Sequence, residues 1–218
     1  MRTDLLIIVP HPDDEAFGAG GTLIDYAERG LKTGLITLTR GDQGKDLGLC
    51  TRQTLAEVRE EELRKCAAVL NIDYLEICRY PDKSVENHPE LVDFLLWRLM
   101  LLRPRAIITF PPNGSNGHTD HVATSKWVRE AVRRYGEPVK LFFYSGPKPN
   151  PGFEDTWLPP NHFRRLSQKT GERKLQALSH HRTQALSVMQ FFERFPFRLH
   201  LETFHLAGYE GPVQNELL

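Results

Sequence analysis

Short apolar runs alternate with amphipathic helical patterns along the first 144 residues of this 218-residue chain. Leu5–Val9 is one such run, and residues 32–38 and 106–110 repeat it. Between these runs, apolar side chains recur every three or four positions, as in residues 54–70. Strands that alternate with helices pair in parallel through right-handed crossovers. We therefore predict an α/β fold with an open, mostly parallel, Rossmann-like sheet and helices on both faces.

The same periodicities predict the bounds of the elements. We expect strands at residues 5–9, 32–38, 74–78, 106–110, 139–144 and 199–207, and helices at residues 20–29, 54–70, 89–102, 120–135 and 172–192. Because no repeat or linker divides the chain, we expect a single domain over residues 1–218. Residues 145–218 would elaborate it, and the proline-rich residues 147–160 would form a loop or lid.

Charge and cysteine content narrow the class of protein. Lys+Arg and Asp+Glu are both 28, so the formal net charge is +0, and we expect no nucleic-acid partner. The cysteines are odd in number (Cys50, Cys66, Cys78) and form no CxxC pair, which is typical of reduced thiols in a cytoplasmic protein. With no uncharged run long enough to cross a bilayer, we expect no membrane partner. We also expect a homo-oligomer.

Two polar clusters follow predicted strands. Residues 11–15 (HPDDE) come directly after the first strand, and residues 117–121 (GHTDH) follow the fourth. In open α/β sheets, ligands bind at the carboxyl ends of the strands, near the point where the strand order reverses. The first and fourth strands flank that point in the commonest strand order, so we expect the two clusters to meet in one pocket.

Together the clusters contain three histidines and four acidic residues, which are side chains of the types that bind metals. Two imidazoles and one carboxylate, with a position left for water, form a common catalytic zinc site. Iron(II) accepts the same ligands, so the metal's identity stays open at this point. A carboxylate beside the metal would serve as general base. Capping of a helix N-terminus explains one or two of the acids, but not the histidines.

With these clusters in place, the chain resembles the LmbE-like or PIG-L family of zinc-dependent N-acetylglucosaminyl de-N-acetylases. The resemblance covers about residues 5 to 185 in family order. Its motifs are HPDDE at 11–15, TRGDQG at 39–44, Arg59-x-x-Glu62, Tyr-Pro-Asp at 80–82, GHTDH at 117–121 and HRTQ at 181–184.

The resemblance implies a role for each matching residue. It implies three zinc ligands: His11, Asp14 and His121. Asp13 would be the general base that activates a water molecule and later protonates the leaving amine. His118 would stabilise the tetrahedral oxyanion as an imidazolium, held by Asp120.

The resemblance also suggests four substrate-binding residues: Asp42, Arg59, His181 and Gln184. Arg59 would contact the sugar or a neighbouring acid, or else pair with Glu62 on the helix surface. Asp42 stands where the family usually has glutamate, which leaves its role open. His181 and Gln184 would line the pocket or lie on a helix face.

Two further groups of residues have alternative interpretations. The basic residues would meet a substrate carboxylate or form a solvated surface: Arg164, Arg165, Lys169 and Arg173. The phenylalanines would stack on a sugar or pack in a core or subunit contact: Phe191, Phe192, Phe195 and Phe197.

The implied reaction is hydrolysis of an acetamide in an N-acetylglucosamine conjugate, giving acetate and a free amine. Among family substrates, we favour N-acetylglucosaminyl-malate of bacillithiol synthesis. One alternative is a metallo-β-lactamase-like hydrolase, although Asn116 occupies the first ligand position of its HxHxDH motif. Another is a nucleotide- or glycan-binding Rossmann-like module without turnover, although Leu23 stands where GxGxxG needs its third glycine.

Overall fold

The structure is a computed structural model that describes residues 2–218. Its strands are β1 (Leu5–Val9), β2 (Thr33–Thr39), β3 (Tyr74–Tyr80), β4 (Ala106–Thr109), β5 (Lys140–Tyr144), β6 (His162–Arg165) and β7 (Leu201–Leu206). Its α-helices are α1 (Asp14–Glu28), α2 (Leu55–Leu70), α3 (Leu91–Leu102), α4 (Gly114–Gly117, a short turn), α5 (Thr119–Tyr135), α6 (Gln168–Leu178) and α7 (Ala185–Arg194).

The strands form one seven-stranded sheet in the order β3-β2-β1-β4-β5-β7-β6. The first five are parallel, whereas β7 and β6 add in antiparallel fashion at one edge. β1 lies in the middle, between β2 and β4, and every residue of Leu5–Val9 is buried. A continuous apolar run suits a strand that is covered on both faces. The predicted fold class is confirmed.

Helices cover both faces of the sheet. One core joins α1, α2 and α6 through buried residues such as Leu23, Leu63 and Ala177. The opposite core joins α3 and α5 through Leu95 and Val128. None of the helices within residues 2–218 is long and apolar enough to cross a membrane.

The first helix begins earlier than its sequence pattern predicted. α1 starts at Asp14 rather than at residue 20, because carboxylates in the first turn are favourable to the helix dipole. Gly18 therefore lies inside the helix instead of in a phosphate-binding turn. A Cβ atom there would stand 2.6 Å from Cζ of the Tyr144 ring, so close packing explains this glycine.

The helix predicted at residues 172–192 is also wrong, since two helices separated by residues 179–184 replace it. The backbone amide of Thr183 donates to Glu62 Oε1 at 2.9 Å, and its hydroxyl donates to Glu62 Oε2 at 2.7 Å. These bonds to α2 divert the chain from a continuous helix. β6 was also missed, because its short, mostly polar sequence lacks a strand pattern.

Candidate active site

The polar clusters meet at the carboxyl ends of β1 and β4, which are neighbours in the sheet. The β1–α1 turn supplies His11, and the start of α5 supplies His118 and His121. The ring of His11 lies 4.9 Å from that of His118 and 5.4 Å from that of His121, centroid to centroid. Residues more than a hundred positions apart thus share one site at the point where the strand order reverses.

The Asp14 carboxylate lies between two imidazoles. Its Oδ2 atom is 3.4 Å from His11 Nδ1, and its Oδ1 atom is 3.5 Å from His121 Nε2. Ligands around a tetrahedral zinc ion with bonds of 2.0–2.1 Å are about 3.3 Å apart. The backbone amide of His11 donates to Asp14 Oδ2 at 3.0 Å and orients the carboxylate. Both contacts of the Asp14 carboxylate are therefore close to the ligand separation around such an ion.

The second nitrogen of each imidazole faces an acceptor. His121 Nδ1 lies 3.2 Å from the Gly114 carbonyl oxygen, while His11 Nε2 lies 3.1 Å from Asp120 Oδ2 and 3.2 Å from Asp82 Oδ1. Protons on these nitrogens leave lone pairs on the two that face Asp14, as metal-binding histidines require. Burial is the largest single effect on the pKa of Asp82 and would raise it, but contacts with His11, the Gln43 amide and the charge of Arg59 together lower that pKa well below its usual range.

Other donor groups among residues 2–218 also come close together. The His118 ring joins His11 and His121 in a group of three imidazoles. His11, Asp82 and Asp120 form another group, and Glu15, Cys66 and His181 form a third. The members of the last two groups hydrogen-bond to one another, which explains their proximity without an ion.

Asp13 sits beside the cluster in an unusual backbone conformation. Its φ angle is 115°, in a region that residues other than glycine rarely adopt. Its amide donates to Glu15 Oε2 at 3.1 Å, and its Oδ2 atom lies 3.3 Å from Arg59 Nη2. Burial raises the pKa of Asp13 to about 7, although the Arg59 guanidinium opposes the rise. The site thus holds a buried carboxyl with a proton affinity suited to a general base.

Arg59 is buried, so the alternative of a surface pair with Glu62 is wrong. Its guanidinium donates to the carbonyl oxygens of Pro12 at 2.6 Å and Gly41 at 2.8 Å, besides its contact with Asp13. The contact with Asp13 agrees with the expectation that Arg59 would meet a neighbouring acid. Arg59 thereby links the HPDDE turn to the loop after β2.

Asp42 lies in that same loop, half-buried. Its carboxylate accepts weakly from the backbone amide of Asp82 at 3.4 Å and from the Gln43 side chain at 3.2 Å. In turn, the Asp82 carboxylate accepts a hydrogen bond from the backbone amide of Gln43, in the loop of Asp42, at 2.9 Å. Asp42 thus helps to position a residue that contacts His11.

His181 and Gln184 contact residues that surround the site. His181 is fully buried in the connection between α6 and α7, with Nε2 3.2 Å from Glu15 Oε1. The Cys66 thiol donates to the same oxygen at 3.3 Å. Gln184 donates to the Lys45 carbonyl oxygen at 2.9 Å. Neither residue lines the cavity described below, and Gln184 ends a short 3-10 helix, Arg182–Gln184.

The Asp120 carboxylate contacts a different histidine from the one expected. Its carboxylate accepts from the amides of Lys83 at 2.7 Å and Val85 at 3.2 Å, and it faces His11. Its backbone amide donates to His118 Nδ1 at 3.3 Å, since His118 caps α5. An imidazolium has no lone pair at Nδ1, so this bond favours a neutral His118 with its proton on Nε2.

A cavity of about 620 Å³ opens beside Asp14 and His121. Tyr144, the last residue of β5, lines it, and the Tyr144 hydroxyl is buried without a hydrogen-bond partner among residues 2–218. Sequence reasoning missed Tyr144, because an aromatic residue in a strand is usually a core residue. Its place at the carboxyl end of a parallel strand was the available signal.

Comparisons with known proteins agree with this geometry. Residues 6–132 match the model of the PIG-L family, described as GlcNAc-PI de-N-acetylase. A relative from Bacillus anthracis, named probable N-acetyl-alpha-D-glucosaminyl L-malate deacetylase 2, is 32% identical over 83% of this chain and 80% of its own. The 1D-myo-inositol 2-acetamido-2-deoxy-alpha-D-glucopyranoside deacetylase of Nocardia farcinica is 30% identical over 61% of this chain, but the match spans only about half (53%) of that longer protein.

A solved structure shares the whole architecture. The conserved protein TT1542 from Thermus thermophilus superposes with a TM-score of 0.76 and 28% identity, covering 94% of each chain. The family match covers more than half of the chain and includes both polar clusters. This chain therefore belongs to the PIG-L family of de-N-acetylases.

Proposed function

We propose that this protein is a metal-dependent hydrolase that removes the N-acetyl group from an N-acetylglucosamine conjugate, giving acetate and a free amine. The observation that carries the proposal is the position of Asp14 between two imidazole nitrogens, with the buried Asp13 beside it. N-Acetylglucosaminyl-malate is the first substrate to test, because the name of the Bacillus anthracis relative specifies it.

The metal in this proposal is zinc, held by His11, Asp14 and His121. Zinc bound there would supply a Lewis acid and lower the pKa of water to about 7. The same ligands suit iron(II). Metal analysis of protein purified without added metal distinguishes the two.

The chain's own residues carry the proton transfers. Asp13 takes a proton from the attacking water and later gives it to the amine nitrogen as the amide C–N bond breaks. His118, with its proton on Nε2, donates a hydrogen bond to the acetyl oxygen as negative charge develops there. Arg59 holds the Asp13 carboxylate in place. In this scheme the Asp120 carboxylate positions His11, whereas the family resemblance implied that it holds His118.

The sequence left two alternative functions open, and the fold excludes one of them. The strands within residues 2–218 form one sheet, which is incompatible with a metallo-β-lactamase-like sandwich. A nucleotide- or glycan-binding module without turnover shares the fold and needs a functional test. The homo-oligomer, the cytoplasmic location and the assignment of residues 145–218 as an elaboration with a lid stay predictions.

Acetate release from N-acetylglucosaminyl-malate, followed by proton NMR, tests the proposal. We expect the zinc-loaded protein to release one acetate per conjugate and chelated protein to regain activity when zinc is restored. Free N-acetylglucosamine and the inositol conjugate serve as comparison substrates. Binding of these sugars without acetate release from any of them would favour the module without turnover and overturn the proposal.

A further inference from the structure

The cavity beside the metal-ligand candidates extends well beyond them. Asp14 and His121 line one end, and the walls come mainly from the loop after β5 and from residues 191–198. In the proposed reaction, the acetamide must reach Asp13 and Asp14. The remainder of the conjugate then has to project away from that end, along the cavity.

Three cations line the cavity: Lys148, Arg194 and Arg198. Among residues 2–218, none of them has a carboxylate oxygen within 4.0 Å. Arg133 and Arg134, by contrast, both pair with Glu130 on the outer surface of α5. The cavity therefore concentrates positive charge that the protein itself leaves unpaired.

Arg198 is the most enclosed of the three. It is half-buried, and its Nη2 atom donates to the Ser145 carbonyl oxygen at 3.0 Å. The nearby Glu202 carboxylate is already bound by Lys174 at 2.8 Å, with both side chains fully buried. A guanidinium that is partly desolvated without a carboxylate partner favours an anionic ligand.

Aromatic side chains form the rest of the wall. Phe17 contacts Phe191 with ring centroids 4.8 Å apart, and Phe191 contacts Phe195 at 5.5 Å. Phe153 and Trp157, from the loop after β5, also line the cavity. The phenylalanines near the C-terminus thus do not simply fill a core, since three of the four face this space.

We propose that this cavity is the aglycone subsite, and that it takes an aglycone with an apolar body and at least one anionic group. The inference rests on the proposed deacetylation and deepens it. The apolar body would pack on the aromatic wall, and the anion would pair with Arg198 and Arg194. A neutral apolar aglycone would leave the half-buried Arg198 without an anionic partner, whereas a small polar anion alone would leave the aromatic wall uncovered.

The test compares three α-glycosides of N-acetylglucosamine that differ only in the aglycone: methyl, phenyl and 4-carboxyphenyl. We expect kcat/KM for acetate release to rise in that order, with the carboxylate adding about tenfold over phenyl. Arg198→Gln and Arg194→Gln should each reduce the carboxyphenyl-to-phenyl ratio. Arg165→Gln is the matched control, since Arg165 is exposed and lies outside the cavity, and it should keep the wild-type ratio.

The outcomes separate the two proposals. Acetate release without a carboxylate preference, or a preference that survives both arginine substitutions, would overturn the aglycone subsite while leaving the deacetylase intact. Faster hydrolysis of N-hexanoyl- than of N-acetylglucosamine would show that the cavity takes the acyl chain instead. If no conjugate releases acetate, the deacetylase proposal fails, and this inference fails with it. Because Arg194 lies on an exposed helix face, its variant remains informative if Arg198→Gln does not fold.

Discussion

The two halves of the site are built in opposite ways. At the ends of β1 and β4, the polar atoms of Asp13, Asp14 and Asp120 are held by backbone amides or neighbouring side chains. Along the cavity wall, the Tyr144 hydroxyl has no hydrogen-bond partner among residues 2–218, and the cationic side chains have no carboxylate partner there. A site that must fix reacting groups needs a complete internal network, whereas a site that must recognise a ligand leaves donors free for it.

The largest effect should come from the first half. Asp13→Asn removes the general base while keeping the three metal-ligand candidates, so kcat for acetate release should fall by about 10²- to 10⁴-fold. Metal content, measured by mass spectrometry on the same sample, should stay at the wild-type level. Loss of metal from this variant would mean that Asp13 binds the ion, and the division of roles between Asp13 and Asp14 would be wrong.

A smaller loss should follow from Glu15→Gln. Both Glu15 oxygens accept hydrogen bonds, one from Asp13 and the other from Cys66, and a glutamine offers only one acceptor oxygen. Either the Asp13 amide or the Cys66 thiol would then lose its hydrogen-bond acceptor. We expect kcat to fall about tenfold with KM and metal content unchanged, because only the base is misplaced.

Glu60→Gln is the matched control on α2. Within residues 2–218, Glu60 pairs with Arg64 and Arg40, with Oε1 2.7 Å from Arg64 Nη2 and Oε2 3.7 Å from Arg40 Nη1. This variant should keep the wild-type kcat. A reduction of KM and kcat in parallel, or loss of metal, in Glu15→Gln would contradict a positioning role.

The second half of the site predicts a different signature for Tyr144→Phe. Removing a buried hydroxyl that has no partner should leave the free energy of unfolding unchanged or raise it by up to about 1 kcal/mol. Because Tyr144 lines the cavity and its hydroxyl has no partner among residues 2–218, we expect that hydroxyl to donate to bound substrate, and its loss should lower kcat/KM about threefold to tenfold. Urea unfolding and acetate-release kinetics on the same preparation measure both quantities.

Tyr74→Phe should have the opposite effects, a loss of stability with unchanged activity. The Tyr74 hydroxyl donates to Glu76 Oε2 at 2.6 Å, far from the cavity. This variant should lose about 1 kcal/mol of stability and keep its activity. If Tyr144→Phe behaves in the same way, the Tyr144 hydroxyl has a structural partner and the contrast between the two halves disappears.

The smallest effect concerns β6, the strand at one edge of the sheet. Burial of His162 on β6, assisted by Lys140 and His205, lowers its pKa from 6.5 to about 4. Between those pH values the unfolded chain binds a proton that the folded chain does not, so stability falls as the pH is lowered through this window. His162→Gln should show a shallower loss between neutral pH and about pH 5 in urea unfolding. An identical loss in both proteins would contradict the buried, neutral state of His162.

The same contrast explains what the sequence could predict. Residues 11–15 and 117–121 follow apolar strands, and parallel strands bring their carboxyl ends to one edge, so the meeting of the clusters was foreseeable. The contact of Asp120 with His11 joins residues far apart in the sequence. The interruption between α6 and α7 likewise depends on a distant partner, Glu62. No local pattern contains such pairings. The cavity wall was the least predictable part, because aromatic residues follow the same pattern in a core and in a pocket.

The position of the ion is the most direct test of the central claim. Crystals grown with zinc and measured at its absorption edge should show one strong anomalous peak within bonding distance of His11 Nδ1, Asp14 and His121 Nε2, with Asp13 beside it. A peak between Asp82 and Asp120, a peak in the buried group of Glu15, Cys66 and His181, or no peak at full zinc loading would contradict the account.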